Sequence, residues 1–171
     1  MNKITNLFTR YLIIIIAGLG NLYIFYKIFT SLTIYPVGFL LKLISPTTIT
    51  ATLITFQTIT IEIIPACVAG AAYYLLFILA MSVPDIKPLR RIKIILFAFT
   101  SLLILNILRI FFLALINQLA YFHSLHLLFW YVLSIVFVFG IWLITIKKFK
   151  IKQVPIWDDL NFLINLSKKK K

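Results

Sequence analysis

Acyl transfer needs a nucleophile, a proton carrier and a group that stabilises an oxyanion. This chain holds few residues able to fill those roles. Cys67 is the only cysteine among 171 residues. It lies in an apolar run, "IIPACVAGAAYYLL" (residues 63–76), two places after Pro65 and at the start of an expected helix. The thiolate is the reactive form of cysteine, and the unpaired N–H groups and dipole of a first helical turn favour negative charge. The alternative is a cysteine that packs as a small hydrophobe. Arg109 lies in "NILRI" (residues 106–110), among Ile107, Leu108, Ile110, Phe111 and Phe112, with Asn106 on the same helical face. A guanidinium stays charged, so here it must either snorkel to a lipid phosphate or hold a substrate carbonyl or oxyanion. The two histidines, His123 and His126, fall in "YFHSLHLLFW". Histidine titrates near neutrality and serves as a general base; alternatively, it is an interfacial ring beside Tyr121, Phe122, Phe129 and Trp130. One cysteine and two histidines three apart are too few for a metal set, and no phosphate-binding loop is present. No metal or cofactor is expected.

The elements that must position these groups follow from composition. The chain is 63% hydrophobic and 12% charged, with a mean hydropathy of +1.08. A soluble domain keeps roughly a quarter of its residues charged, so a single integral membrane domain, mostly α, is expected. The net charge of +13 flanks the apolar runs and indicates topology rather than nucleic-acid binding. A helix crosses a bilayer core with about 20 apolar residues. On that basis about four transmembrane helices are expected, near 11–31, 66–83, 92–114 and 125–146. The first lacks a small-x-small cleavage site and is expected to be retained. An N-in, C-in orientation places 14 of the 17 basic residues on the inner side, all but Lys27, Lys42 and Arg109. Residues 147–171 are expected to form a basic cytoplasmic tail with a short amphipathic segment near the anionic surface.

Residues 47–64, "TTITATLITFQTITIEII", contain seven threonines in 18 residues. Period-two alternation of β-branched residues predicts strands: a small external β-hairpin, turning near Thr55–Gln57. "YPVGFLLKLI" before it is expected to be a short interfacial helix.

Rise per residue then sets depth. Cys67 to Asp85 spans about 27 Å, Lys93 to Arg109 about 24 Å, and His126 to Lys147 about 31 Å. Cys67, Arg109 and His126 thus fall in one layer near the outer face, on three different spans. That is the arrangement a Cys–His nucleophilic site needs.

"PACVAG", then "NILRI" with its arginine 42 residues beyond the cysteine, then "H…FWYVLS" resemble the exosortase/archaeosortase family, and the short chain resembles its small archaeal, pacearchaeosortase-like branch. The resemblance covers about residues 47–146. It implies a membrane cysteine peptidase-transpeptidase at the cell (plasma) membrane, with its site facing outside. The substrates would be membrane-anchored proteins ending in a short motif, an apolar span and a basic cluster. It implies Cys67 as nucleophile, Arg109 as the essential arginine and His126 as the third catalytic position, and it suggests a lipid headgroup amine as acceptor, where water would give proteolysis. Glu62 either tunes Arg109 or His126 or is a solvated rim charge. Two other function classes fit the composition: a non-enzymatic scaffold or transporter subunit, and a lipid acyltransferase.

Overall fold

The computed structural model describes residues 3–117, 121–129, 132 and 134–168. Trp130 of the expected aromatic belt, the His123 side chain and Lys169–Lys171 of the expected tail lie outside them. Eight helices and one three-stranded sheet are seen among the described residues: α1 Lys3–Gly18, α2 Tyr23–Lys42, β1 Thr47–Thr50, β2 Leu53–Phe56, β3 Ile59–Glu62, α3 Pro65–Val68, α4 Gly70–Met81, α5 Pro88–Leu115, α6 Phe122–Leu128, α7 Ser134–Lys148 and α8 Trp157–Lys168. Mostly α with a small sheet is as expected. Two of these helices, α2 and α5, are long and apolar enough to cross a membrane.

The expected single helix over 11–31 is broken between α1 and α2. Gly20, Asn21 and Leu22 have φ of 69°, 53° and 60°, and three left-handed residues in a row cannot continue a right-handed helix. The signal was the "GLGN" stretch, since glycine and asparagine tolerate this conformation best. The break does not reverse the chain. Arg10 meets the Met81 carbonyl, Tyr74 donates to the Ile14 carbonyl, and the Tyr26 ring packs on Gly70. These contacts climb α4 from its C-terminal to its N-terminal end, so α1 and α2 together run antiparallel to it. The expected interfacial helix over 35–44 is instead the last part of α2, which continues through Pro36 to Lys42.

The expected hairpin is a three-stranded meander ordered β1-β2-β3. Both turns have two residues, and each opens on a left-handed residue, Ala51 (φ 55°) and Gln57 (φ 54°). The second turn lies where a turn was expected. The first was hidden because a period-two run without Gly, Asn or Asp does not mark where it folds. Ile54 pairs with Ile61 and Phe56 with Ile59 on the inner face, while Thr55 and Thr60 hydrogen-bond across the outer face.

The expected helix over 66–83 also has a break. Ala69 has φ 59° and ψ 39°, which detaches the single turn α3 from α4. Gly70 follows because α2 comes so close there: an added Cβ would sit 2.6 Å from the Tyr26 ring.

Polar groups gather at the two ends of the helices. At one end, Arg91 donates to the carbonyls of Ala80, Met81 and Val83, and Arg90 donates to the Phe149 carbonyl. Beside them α8 is fastened to α1. Arg10 and Asp159, 6% and 4% exposed, form an ion pair at 2.7 Å, and Tyr11 donates to the same carboxylate at 3.2 Å. Asp159→Asn keeps the shape but leaves Arg10 buried without its counter-charge. It is expected to cost about 1.5–3 kcal/mol of stability, measured as a lower thermal midpoint of the purified protein and faster proteolysis within α8. An unchanged midpoint would reduce the pair to a passive contact.

Candidate active site

The second polar layer lies at the other end of the same helices, about 18 residues and 27 Å along α5 from Arg91. It is built by one buried stripe. On α5 the inward residues are Ile94, Ala98, Leu102, Asn106, Arg109, Ile110 and Ala114, at the three- and four-residue spacing of one helical face. Asn106 and Arg109 therefore point inward with the core residues. Ile92, Leu96, Ile104, Leu108 and Phe112 stay exposed on the other side.

Both inward polar residues reach the turn that carries the cysteine. Asn106 Nδ2 donates to the Cys67 carbonyl oxygen at 2.9 Å, and Arg109 Nη2 donates to the same oxygen at 3.1 Å. The Cys67 N–H bonds the Ile64 carbonyl at 2.8 Å, closing the α3 turn. Because Ala69 interrupts the helix, the Cys67 carbonyl is available to α5. Arg109 is 7% exposed and its Nη1 donates to Ser134 Oγ at 2.9 Å; Ser134 in turn donates to the Phe129 carbonyl at 3.3 Å. This removes the snorkelling alternative: the guanidinium ties α3 to α7 inside the protein. A guanidinium has five N–H donors, and two are used here. Its Nε is buried and, among the described residues, without a hydrogen-bond partner. A buried unpaired donor costs about 1–3 kcal/mol, so it is a place where an incoming oxygen would be favoured.

Cys67, Arg109 and His126 line one cavity of about 230 Å³, with Glu62, Asn117 and Phe122 also on its walls. The cysteine is half-buried and the histidine exposed. His126 lies on α6, its ring 5.8 Å from that of Phe122. The structure thus brings the three sequence candidates to one space, from α3, α5 and α6. Glu62, left open as either a tuning or a rim group, is exposed on the cavity wall.

Sequence reasoning placed Asn106 on the face of Arg109 but did not foresee its bond to the Cys67 carbonyl. It missed Ser134 and Asn117. Ser134 had a signal, as the last residue of "FWYVLS" and the only hydroxyl between Leu125 and Leu143 apart from Tyr131. Asn117, just beyond α5, had none that separated it from a helix-end residue; its Nδ2 donates to the Ala114 carbonyl. Among the described residues no group of three or more metal-ligating side chains occurs.

No protein-family model matches the chain, and neither a curated protein nor a solved structure matches it.

Proposed function

We propose that the chain is a membrane-embedded cysteine transpeptidase or protease of the exosortase/archaeosortase kind, acting on C-terminal sorting signals of exported proteins. One observation carries the reading: the only cysteine, the arginine set within an apolar helix, and His126 line a single cavity although they come from three separate elements. In this reading the chain crosses the membrane four times, by α1 with α2, α3 with α4, α5, and α6 with α7. The support is that these segments run between the two polar layers and that α2 and α5 expose continuous apolar stripes, such as Ile24, Ile28, Leu32, Tyr35 and Phe39. The basic ends lie with the inner layer, and Cys67 belongs to the outer one.

The chemistry follows from the groups present. His126 takes the Cys67 proton, and the thiolate attacks the carbonyl carbon of the substrate. The oxyanion that forms is held by the free N–H groups of Arg109, whose other bonds fix the Cys67 turn and α7. Collapse expels the amine of the downstream span, which takes the proton from His126, and leaves an acyl-thioester on Cys67. A second amine, from a lipid headgroup, attacks the thioester and restores the thiol; water in its place gives hydrolysis.

The test is a tagged reporter library in which a randomised stretch precedes an apolar span and a basic cluster, co-expressed with the chain. A subset of reporters is expected to lose the span and to pass through a hydroxylamine-sensitive peptidyl adduct on Cys67. A membrane-impermeant maleimide added to intact cells is expected to block processing, because Cys67 is the only thiol it can reach on the chain. A library with no processed member sinks the activity. A lipid adduct alone would make the chain an acyltransferase. Processing blocked only by a permeant reagent would reverse the orientation.

A further inference from the structure

β3 is an edge strand, and its free edge leads to Cys67. In the order β1-β2-β3, β1 packs beside α2, whereas no strand among the described residues pairs with the far side of β3. The register says which groups face out. The β2–β3 turn makes Phe56 and Ile59 the first pair, and the Ile63 N–H bonds the Thr52 carbonyl at 2.9 Å. In an antiparallel ladder hydrogen-bonded pairs alternate. Ile59, Ile61 and Ile63 therefore bond inward to β2, while the N–H and C=O groups of Thr60 and Glu62 point away from it.

The cavity around Cys67 meets this edge. Ile61, Glu62, Ile63 and Ile64 all line it. Ile61 and Glu62 are successive residues of β3, whose side chains point to opposite faces, so the cavity meets the strand along its edge, and Ile63 and Ile64 continue that wall toward Cys67. Such an edge is a template for a further strand.

We propose that the segment of the substrate upstream of the scissile bond binds as a fourth strand on β3, in parallel orientation, delivering its carbonyl to Cys67. The occupant is an extended peptide because the unpaired groups are main-chain donors and acceptors. The direction is parallel because β3 runs toward the Cys67 turn, as does a substrate whose exported part comes first and whose membrane span follows. Recognition then rests on main-chain bonds at Thr60 and Glu62, with alternate side chains entering the cavity. This rests on the transpeptidase reading and names how its substrate is held.

Disulfide trapping tests it, using a reporter that the wild-type chain processes. The enzyme carries Cys67→Ala and Glu62→Cys, and single cysteines are scanned through the reporter segment upstream of the scissile bond. Cross-linking is expected at alternate positions, at least about five-fold above their neighbours, the factor that one hydrogen bond's worth of preference gives. Moving the probe from Glu62→Cys to Thr60→Cys should shift the best position two residues away from the scissile bond. In the otherwise wild-type enzyme, Thr60→Pro deletes an outward N–H at a site where an edge strand tolerates proline. It should slow processing about five-fold or more relative to Thr60→Ala, which removes the same hydroxyl. Flat or helix-periodic cross-linking with a reporter that is processed overturns the strand alone. A shift toward the scissile bond overturns the parallel direction, and equal rates for the proline and alanine variants remove the main-chain bond. A wild-type chain that processes no reporter overturns the activity and this inference together.

Discussion

Cys67→Ser is expected to lower processing of a susceptible reporter at least about 1000-fold, or about 4.1 kcal/mol in the barrier, with no change in expression. The substitution exchanges one atom for a slightly smaller one at a half-buried position on the margin of the core, so the fold and the expression level are kept. Its carbonyl, held by Asn106 and Arg109, is untouched because those bonds are to the main chain. What changes is the nucleophile. A cysteine supplies a small fraction of reactive thiolate near neutral pH, whereas a serine hydroxyl needs a base aligned on it before it attacks. His126 is exposed and has no orienting hydrogen bond among the described residues, which suffices for an acidic thiol but not for a serine hydroxyl. Pulse-chase of the tagged reporter, with enzyme level matched by immunoblot, reads the rate. A serine or alanine variant that processes normally would make Cys67 a packing residue and end the enzyme reading.

Arg109→Lys separates charge from geometry. Lysine keeps the positive charge and inserts into the same apolar helix. Its donors all sit on one nitrogen, so it cannot span the Cys67 carbonyl and Ser134 Oγ as the two Nη atoms of the planar guanidinium fork do. The expected loss is about 100- to 1000-fold in rate, about 2.7–4 kcal/mol, the range for removing an oxyanion donor. Ser134→Ala is the control. It releases α7 from Arg109 but leaves the Cys67 contact and the free Nε–H in place, and it is expected to cost less than about ten-fold, the worth of one hydrogen bond. If Ser134→Ala matched the lysine variant, Arg109 would act by fastening α7. A lysine variant with the normal rate would leave its charge as the only property that counts.

Which groups are available, and how far apart along the chain they stand, was legible from residue order alone. A lone cysteine, one arginine inside an apolar run and two histidines limit the possible chemistry whatever the fold. The three-four spacing of "NILRI" within α5 set Asn106 and Arg109 on one face, because helical periodicity is local. Strands over 47–64 were legible for the same reason.

Tertiary structure decided the rest. Ala69 is left-handed, though alanine is the best helix former, and it stands next to Gly70, which lies against the Tyr26 ring of α2. That break turns the Cys67 carbonyl toward α5, and no local signal carries it. The burial of Arg109 likewise rests on Ser134, 25 residues away, and on the Cys67 carbonyl, 42 residues away, since a charge is buried only when other elements supply acceptors. The pairing of Arg10 with Asp159 across 149 residues has the same origin. Sequence order does not say which acid will meet a buried guanidinium; packing α8 against α1 does.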